Sequence, residues 1–262
     1  MKYKLAAIDL DDTLLDSEKK IPTSTIRVIQ ELSDKGLIII IATGRNYTGA
    51  IMYRDKLGLS TPMINCSGSV VVDSSNDELF SLPIKYSDAR EVLIFAKEKN
   101  LHVQIESSDQ YYFEKHNKYT EQYAFFYGYK GIEIPDLVNR NDIEALKVLI
   151  LSEPNIIDKI KSEAIKKFYG LKVLQSLPSF LEFNDPRSSK GMALKFLSSY
   201  YSVKKEEIIA FGDSELDISM MEHAGFFVAM GNASDAIKTS ADYVTDCNDN
   251  EGVAKALEEL LK

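Results

Sequence analysis

Three carboxylates and a hydroxyl fall within five residues at Asp9, Asp11, Asp12 and Thr13, directly after the apolar run 5–8. A short, continuously apolar run of this kind fits a strand buried on both faces of a parallel sheet. Residues two apart on an extended chain face the same side, so Asp9 and Asp11 can converge at the strand's carboxyl end. That edge is where open α/β sheets place their ligands. Two carboxylates so close repel each other unless a cation or a raised pKa relieves them, and hard oxygen donors of this kind suit Mg²⁺. A solvated acidic turn would carry the same residues, so the pair alone leaves both readings open.

Three later signals occupy comparable places. Thr43 and Gly44 follow the apolar run 37–42. A hydroxyl and a bare backbone N–H at a helix start can hold a phosphate there, although a plain turn uses the same pair. Lys190 and Gly191 open a helical stretch. A cation in that position opposes the helix dipole and calls for a nearby anion, unless it is simply a surface lysine. Asp213 and Asp217 follow the apolar residues 208–211, where Asp213 could also serve only as an N-cap. In order, the chain offers an acidic pair, a hydroxyl with glycine, a lysine and a second acidic pair. Phosphoryl transfer needs that inventory: a nucleophile, metal ligands and cationic clamps.

The elements that must position these residues are legible as alternating strands and helices. A helix beginning at Pro22 carries the stripe Ile26, Val28, Ile29 and Leu32 and stops at Gly36. A strand over 37–42, a helix over 46–57 capped by Asn46, a strand over 62–66 and a hairpin of 70–72 with 79–82 follow. This pattern predicts an α/β fold: a Rossmann-like parallel sheet with helices on its faces. From 83 to 184 the regularity weakens. Helices over 87–99, 118–126 and 155–169, and strands near 101–106, 110–113, 146–151, 171–175 and 180–183, read as an inserted α+β module. Regular alternation returns with a helix over 189–200, a strand over 207–211 and a helix over 216–223. Strands over 226–230 and 243–245 and helices over 235–239 and 251–261 complete it. The expected domains are therefore a core of 1–82 and 185–262 and an insert of 83–184.

Acidic residues outnumber basic ones by 40 to 31, and the net charge of −9 is offset by no local basic cluster. Such a surface repels nucleic acid and anionic membranes. The longest wholly apolar run, 37–42, falls far short of the roughly 20 residues that span a bilayer. Aspartates from position 9 onward do not fit a signal peptide. Cys66 and Cys247 form neither a C-x-x-C pair nor a disulfide framework. A cytoplasmic protein is expected. Nine aromatic residues crowd 111–129, a stretch suited to stacking on a ring-bearing substrate, to a subunit contact, or to the core of a small module. His102, His116 and His223 have no metal-ligand spacing and read as ordinary histidines.

Asp9-Leu10-Asp11-Asp12-Thr13, Ala42-Thr43-Gly44-Arg45, Ser189-Lys190-Gly191-Met192-Ala193-Leu194 and Gly212-Asp213 through Asp217 resemble the four motifs of the haloacid dehalogenase superfamily. The Cof-type phosphatases of subclass IIB are the nearest pattern. Ala229-Met230-Gly231-Asn232-Ala233, Ala241-Asp242-Tyr243-Val244-Thr245 and Glu251-Gly252-Val253-Ala254 match it further, and the insert lies where that subclass carries its α/β (C2B-type) cap. The resemblance implies that Asp9 is the nucleophile, forming an aspartyl-phosphate, and Asp11 the acid–base. It implies Mg²⁺ on Asp9, the Asp11 carbonyl and Asp213, and phosphate oxygens on Thr43, Gly44 and Lys190. Asp217 would orient Lys190 or a metal-bound water, Arg45 would reach substrate or cap, and Asn232 would bind phosphate or substrate. The implied activity is a Mg²⁺-dependent phosphatase of small phosphorylated metabolites, sugar phosphates first among them, acting as a monomer or weak homo-oligomer. Phosphomutase-type transfer and a non-catalytic phosphate-ligand binder are the alternatives. This sequence departs from the pattern at Leu216, where asparagine is usual, at Ser67 in place of the asparagine of a common Asn-Gly, in 184–187, and at Asp12, where many relatives have glycine.

Overall fold

The computed structural model describes residues 2–261. Its contacts divide the chain into two units. The first holds the segments up to Gly44, Ala50–Phe80 and Ser189 onward; the second holds Arg45–Gly49 and Ser81–Ser188. Among the described residues, no helix is long and apolar enough to cross a membrane.

The first unit is built on an eight-stranded sheet. Its spatial order is Tyr243–Val244, Phe226–Ala229, Ile208–Gly212, Leu5–Asp9, Ile38–Ala42, Met63–Asn65, Val70–Val72 and Glu78–Ser81. The first six run parallel, and Val70–Val72 returns antiparallel to Met63–Asn65. Leu5–Asp9 and Ile208–Gly212 are buried along their whole length, which explains their unbroken apolarity. One face of the sheet packs Leu5, Ala7, Ile40 and Ala210 against Ala193, Leu194 and Leu197 of the helix Lys190–Tyr200. The chain leaves Leu5–Asp9 toward Ile38–Ala42 on one side, while the later strands build outward from Ile208–Gly212 on the other. The boundary between these two strands is therefore the switch point of the sheet, the place where such folds bind ligands.

Several boundaries differ from the sequence reading for local reasons. The helix after Pro22 spans Thr23–Asp34, with the proline as its N-cap. Between Leu5–Asp9 and the following loop lies an irregular helical turn, Leu10–Leu14, in which Asp12 is left-handed at φ 59°. The helix expected over 216–223 is only Ile218–Met221, because the preceding residues form a turn closed by the Asp217 N–H donating to the Ser214 carbonyl at 3.0 Å.

In the second unit a six-stranded sheet runs in the order Lys172–Leu177, Phe180–Asn184, Lys147–Leu151, His102–Glu106, Tyr111–Phe113 and Ile132–Glu133. The helices Tyr86–Glu98 and Pro154–Lys167 contribute Val92, Phe95, Ile157 and Ile160 to an apolar cluster with Ile105, Val148, Ile150 and Leu181 of the sheet. Tyr111, Phe113 and Tyr123 are buried in a second cluster with Leu149 and Leu151. Much of the 111–129 aromatic stretch is thus core, although Phe125 remains 92% exposed. His102 is a satisfied buried histidine. Burial pulls its pKa down to about 4, and its ring meets Gln104 Oε1 at 3.4 Å and Asn117 Nδ2 at 3.0 Å.

At Gly68 (φ +92°), a Cβ would lie 2.1 Å from the Ser189 carbonyl oxygen. No side chain fits there, and the left-handed backbone adds strain. Gly68→Ala should therefore destabilise the first unit by about 2–4 kcal/mol. Gly170, where a Cβ would meet nothing within 4 Å, is the control. Thermal unfolding of both alanine variants checks this; a Gly68→Ala midpoint equal to that of Gly170→Ala would refute the steric argument.

Candidate active site

Asp9 ends its strand paired with Ala42, which sets it beside the start of the Thr43-Gly44 turn. Ile8 pairs with Phe211 on the other side, one residue before Gly212 and Asp213. Parallel register thus delivers three of the expected segments to one sheet edge. The fourth arrives through the helix Lys190–Tyr200, capped by the Ser189 hydroxyl, which accepts the Met192 N–H at 3.1 Å. Lys190 is 2% exposed, so it is not a surface lysine.

Its ammonium donates to Asp9 Oδ1 at 2.5 Å and to Asp217 Oδ1 at 2.6 Å. The second Asp217 oxygen accepts the N–H groups of Asp213 (3.2 Å) and Ser214 (3.0 Å) and the Ser214 hydroxyl (2.8 Å). Asp213 is therefore no N-cap; its Oδ1 accepts the Thr13 hydroxyl at 2.9 Å instead. Two glycines permit this crowding. A Cβ on Gly212 would lie 2.3 Å from that of Asp217, and one on Gly191 would lie 2.0 Å from the Ser219 carbonyl oxygen.

Thr43 is fully buried; its N–H donates to the Ile64 carbonyl at 2.8 Å, and its carbonyl accepts the Ser67 N–H at 3.1 Å. The space beside Gly44 is bounded by the Ser67 hydroxyl, 3.4 Å from where a Cβ would sit. Asp11 pairs with Lys19 at 3.3 Å. Asn232 donates to the Asp12 carbonyl at 2.8 Å and accepts the Asn248 N–H at 3.0 Å, tying the first acidic turn to the C-terminal loops. Arg45 belongs to the second unit, where its guanidinium lies 4.9 Å from the Tyr127 ring centroid and donates to the Gly49 carbonyl at 3.3 Å. Contacts thus join Asp9, Lys190, Asp213 and Asp217, register adds Thr43 and Gly44, and Asp11 lies in the adjoining turn, to which Asn232 is hydrogen-bonded. Thr13, whose hydroxyl stands out in the sequence beside the acidic pair, also holds this constellation, as do Ser214 and Lys19, to which the sequence assigns no role. Thr13 stands inside the first motif, whereas Lys19 sits in a loop without periodicity.

Charge is unbalanced here. Asp9, Asp213 and Asp217 offer oxygens within 4.8 Å of one another, and the ammonium of Lys190 lies among them. Burial raises the Asp9 pKa well above the usual carboxylate value; repulsion from Asp217 and Asp213 adds to this, and Lys190 works against it. Burial and Asp217 push the Asp213 carboxyl up to about 6, despite the Thr13 hydrogen bond. Lys190 itself is held above its ordinary pKa, because Asp217 and Asp9 outweigh its burial. A surplus of buried hard-oxygen anions fits a divalent cation. Both Asp217 oxygens are already engaged, so Asp9 and Asp213 are the side chains better placed to take one. The Asp11 side chain does not join this cluster.

A family model of haloacid dehalogenase-like hydrolases matches residues 6–257. A 5-amino-6-(5-phospho-D-ribitylamino)uracil phosphatase of Bacillus subtilis is 32% identical over 268 residues, spanning 99% of this chain and 98% of the relative. The crystal structure of a haloacid dehalogenase-like hydrolase from Bacteroides thetaiotaomicron is 27% identical, with a TM-score of 0.92 over 99% of this chain and all of that one. A sugar phosphatase of subclass IIB shares the fold at a TM-score of 0.85, with 23% identity and 98% of each chain covered.

Because the folded-state pKa of Asp213 is raised, the metal-free fold binds a proton there more tightly than the unfolded chain does. That contribution is complete below about pH 4 and is lost as pH rises through about 6. In chelator at pH 7.5, Asp213→Asn should therefore be more stable than wild type, by about 1–3 kcal/mol. The gap should close at pH 4. Thermal melts at both values check this, and an equal gap at both would sink it.

Proposed function

The chain belongs to the haloacid dehalogenase-like hydrolases, and from that premise we propose that it is a Cof-type phosphatase of subclass IIB that hydrolyses small phosphorylated metabolites through a phosphoryl group carried on Asp9. The observation that carries this reading is the meeting of Asp9, Lys190, Asp213 and Asp217 at the switch point of the sheet.

A carboxylate oxygen of Asp9 attacks phosphorus as the ester oxygen departs, and Asp11 gives that oxygen its proton. Asp11 then takes a proton from the water that attacks the aspartyl-phosphate, which releases inorganic phosphate and restores Asp9. Lys190, the Thr43 hydroxyl and the Gly44 N–H take up charge on the phosphoryl oxygens. Asp217 also holds Lys190, so the ammonium stays fixed while Asp9 changes its bonding. Mg²⁺, held by Asp9, Asp213 and the Asp11 carbonyl, would supply Lewis-acid charge that offsets repulsion between nucleophile and phosphate. It would also relieve the carboxylate surplus that otherwise favours a protonated Asp9.

Substrates are placed among phosphorylated sugars and sugar-alcohol chains. Support comes from the Bacillus relative, named for an ester whose phosphate sits on a ribityl chain. The second unit, inserted in sequence between the segments bearing Thr43 and Lys190, is assigned the selection of substrate.

Incubation with a panel of such esters should release inorganic phosphate in Mg²⁺ and cease in chelator. Asp9→Asn should lower turnover by about 10³-fold or more. Turnover within tenfold of wild type in that variant would overturn the mechanism. Isomerised ester in place of free phosphate would indicate transfer rather than hydrolysis.

A further inference from the structure

Lys19 lies outside every motif, and no step above uses it. Its ammonium nevertheless reaches Asp11 Oδ1 at 3.3 Å and Asp12 Oδ1 at 3.0 Å. We propose that Lys19 is a positioning residue: gripped by Asp12, it holds the Asp11 carboxylate in place for proton exchange with the leaving oxygen. The proposal rests on the reading of Asp11 as the acid–base.

The loop carrying Lys19 is built rather than loose. The Asp16 carboxylate accepts the N–H groups of Glu18 (3.0 Å) and Lys20 (2.8 Å). The Asp16 N–H donates to the Lys20 carbonyl at 2.9 Å, and the Lys19 N–H donates to the Asp16 carbonyl at 2.9 Å. Asp249 accepts the Ser17 N–H at 2.7 Å, and the Tyr53 hydroxyl donates to the Lys19 carbonyl at 3.4 Å. Within this frame Lys19 adopts a left-handed backbone, φ 59°. Such a conformation is unfavourable for a non-glycine residue and persists only where its surroundings fix it.

The other end of the grip is equally defined. Asp12 is left-handed too, in a turn where glycine would be the undemanding choice, and Asn232 pins its carbonyl at 2.8 Å. An aspartate here gives Lys19 a second anchor one residue from Asp11. The Lys19 side chain is only 27% exposed, as is that of Asp11, so the pair is less screened than an ordinary surface bridge. Without the Lys19 ammonium the Asp11 carboxylate would lose this 3.3 Å contact and would face the like charge of Asp12 with less to offset it. Displacement of an acid by about 1 Å can cost on the order of 10²-fold in rate.

Leaving-group dependence separates this role from a merely structural one. The ratio kcat/KM reports departure of the ester oxygen, the step in which Asp11 donates. Phenolate, whose conjugate acid resembles tyrosine's at about 10, needs that proton far more than 4-nitrophenolate does. Lys19→Met should lower kcat/KM for phenyl phosphate about 10–100-fold but for 4-nitrophenyl phosphate less than about threefold, and Lys19→Arg should restore both to within about threefold. Asp12→Ser, which loosens the anchor, should show the same split to a smaller degree and carries the test if Lys19→Met does not fold. Equal losses on the two esters, or none on either, would overturn the assignment. Asp11→Asn, run alongside, should show the deepest split. If it does and Lys19→Met does not, only the role of Lys19 fails; an unimpaired Asp11→Asn would remove the reading beneath it.

Discussion

Lys190 carries its ammonium group into the interior and finds Asp9 there at 2.5 Å, 181 residues away in sequence, and Asp217 at 2.6 Å. A charge withdrawn from water is tolerable only when its partners are close and well oriented. The first unit must therefore bring the ends of two parallel strands and the start of a helix within hydrogen-bonding distance of one nitrogen. Ion pairs of this kind add little to stability against an apolar alternative. What the arrangement supplies is definition: with both Asp217 oxygens engaged, neither Asp217 nor the lysine can drift. The glycines at 68, 191 and 212 follow from the same demand, since backbone must come closer there than any Cβ allows.

Much of this was legible because it depends on strand ends. Continuous apolar runs located Leu5–Asp9, Ile38–Ala42 and Ile208–Gly212, and parallel register then fixes what lies past each carboxyl end. Asp9, Thr43 and Asp213 could therefore be placed before any coordinates. The contacts beyond them could not. Whether Asp213 caps a helix or meets Thr13 depends on where Asp217 sends its second oxygen, and no periodicity records that choice. The left-handed turn at Asp12 and the loop holding Lys19 are similarly invisible, because single-residue φ values leave no pattern in a polar stretch. The edge strand Ile132–Glu133 has both residues exposed and so lacks the alternation that reveals a strand.

The second unit meets a related electrostatic problem and resolves it differently. His102, Gln104 and Glu106 alternate onto one face of their strand, and Glu106 pairs in register with Lys147. The buried Lys147 ammonium lies 3.0 Å from Glu106 and 3.8 Å from Glu182, so again one cation serves more than one carboxylate. Here the remaining charge is taken up by neutral donors. The Tyr123 hydroxyl and the Gln104 amide donate to Glu106, and the Ser176 hydroxyl donates to Glu182. Burial, with Glu106 beside it, keeps the Tyr123 phenol protonated and available as a donor.

The contrast between the two clusters separates a structural charge group from a reactive one. In the second unit, hydroxyl and amide donors serve one oxygen of Glu106 and one of Glu182, while the Lys147 ammonium sits 3.0 Å from the other Glu106 oxygen. In the first, the donors converge on Asp217, while Asp9 and Asp213 are left with raised pKa values. Ordinary folding would favour quenching such a surplus with another lysine or a hydroxyl. On the proposed mechanism the site accepts a divalent ion and then a phosphoryl group, and it must keep those oxygens available even though the metal-free fold is less stable for it. The uneven distribution of donors, concentrated on Asp217, is therefore what makes this cluster chemically useful, and it explains why the aspartate furthest from the proposed chemistry is the most completely hydrogen-bonded of the three.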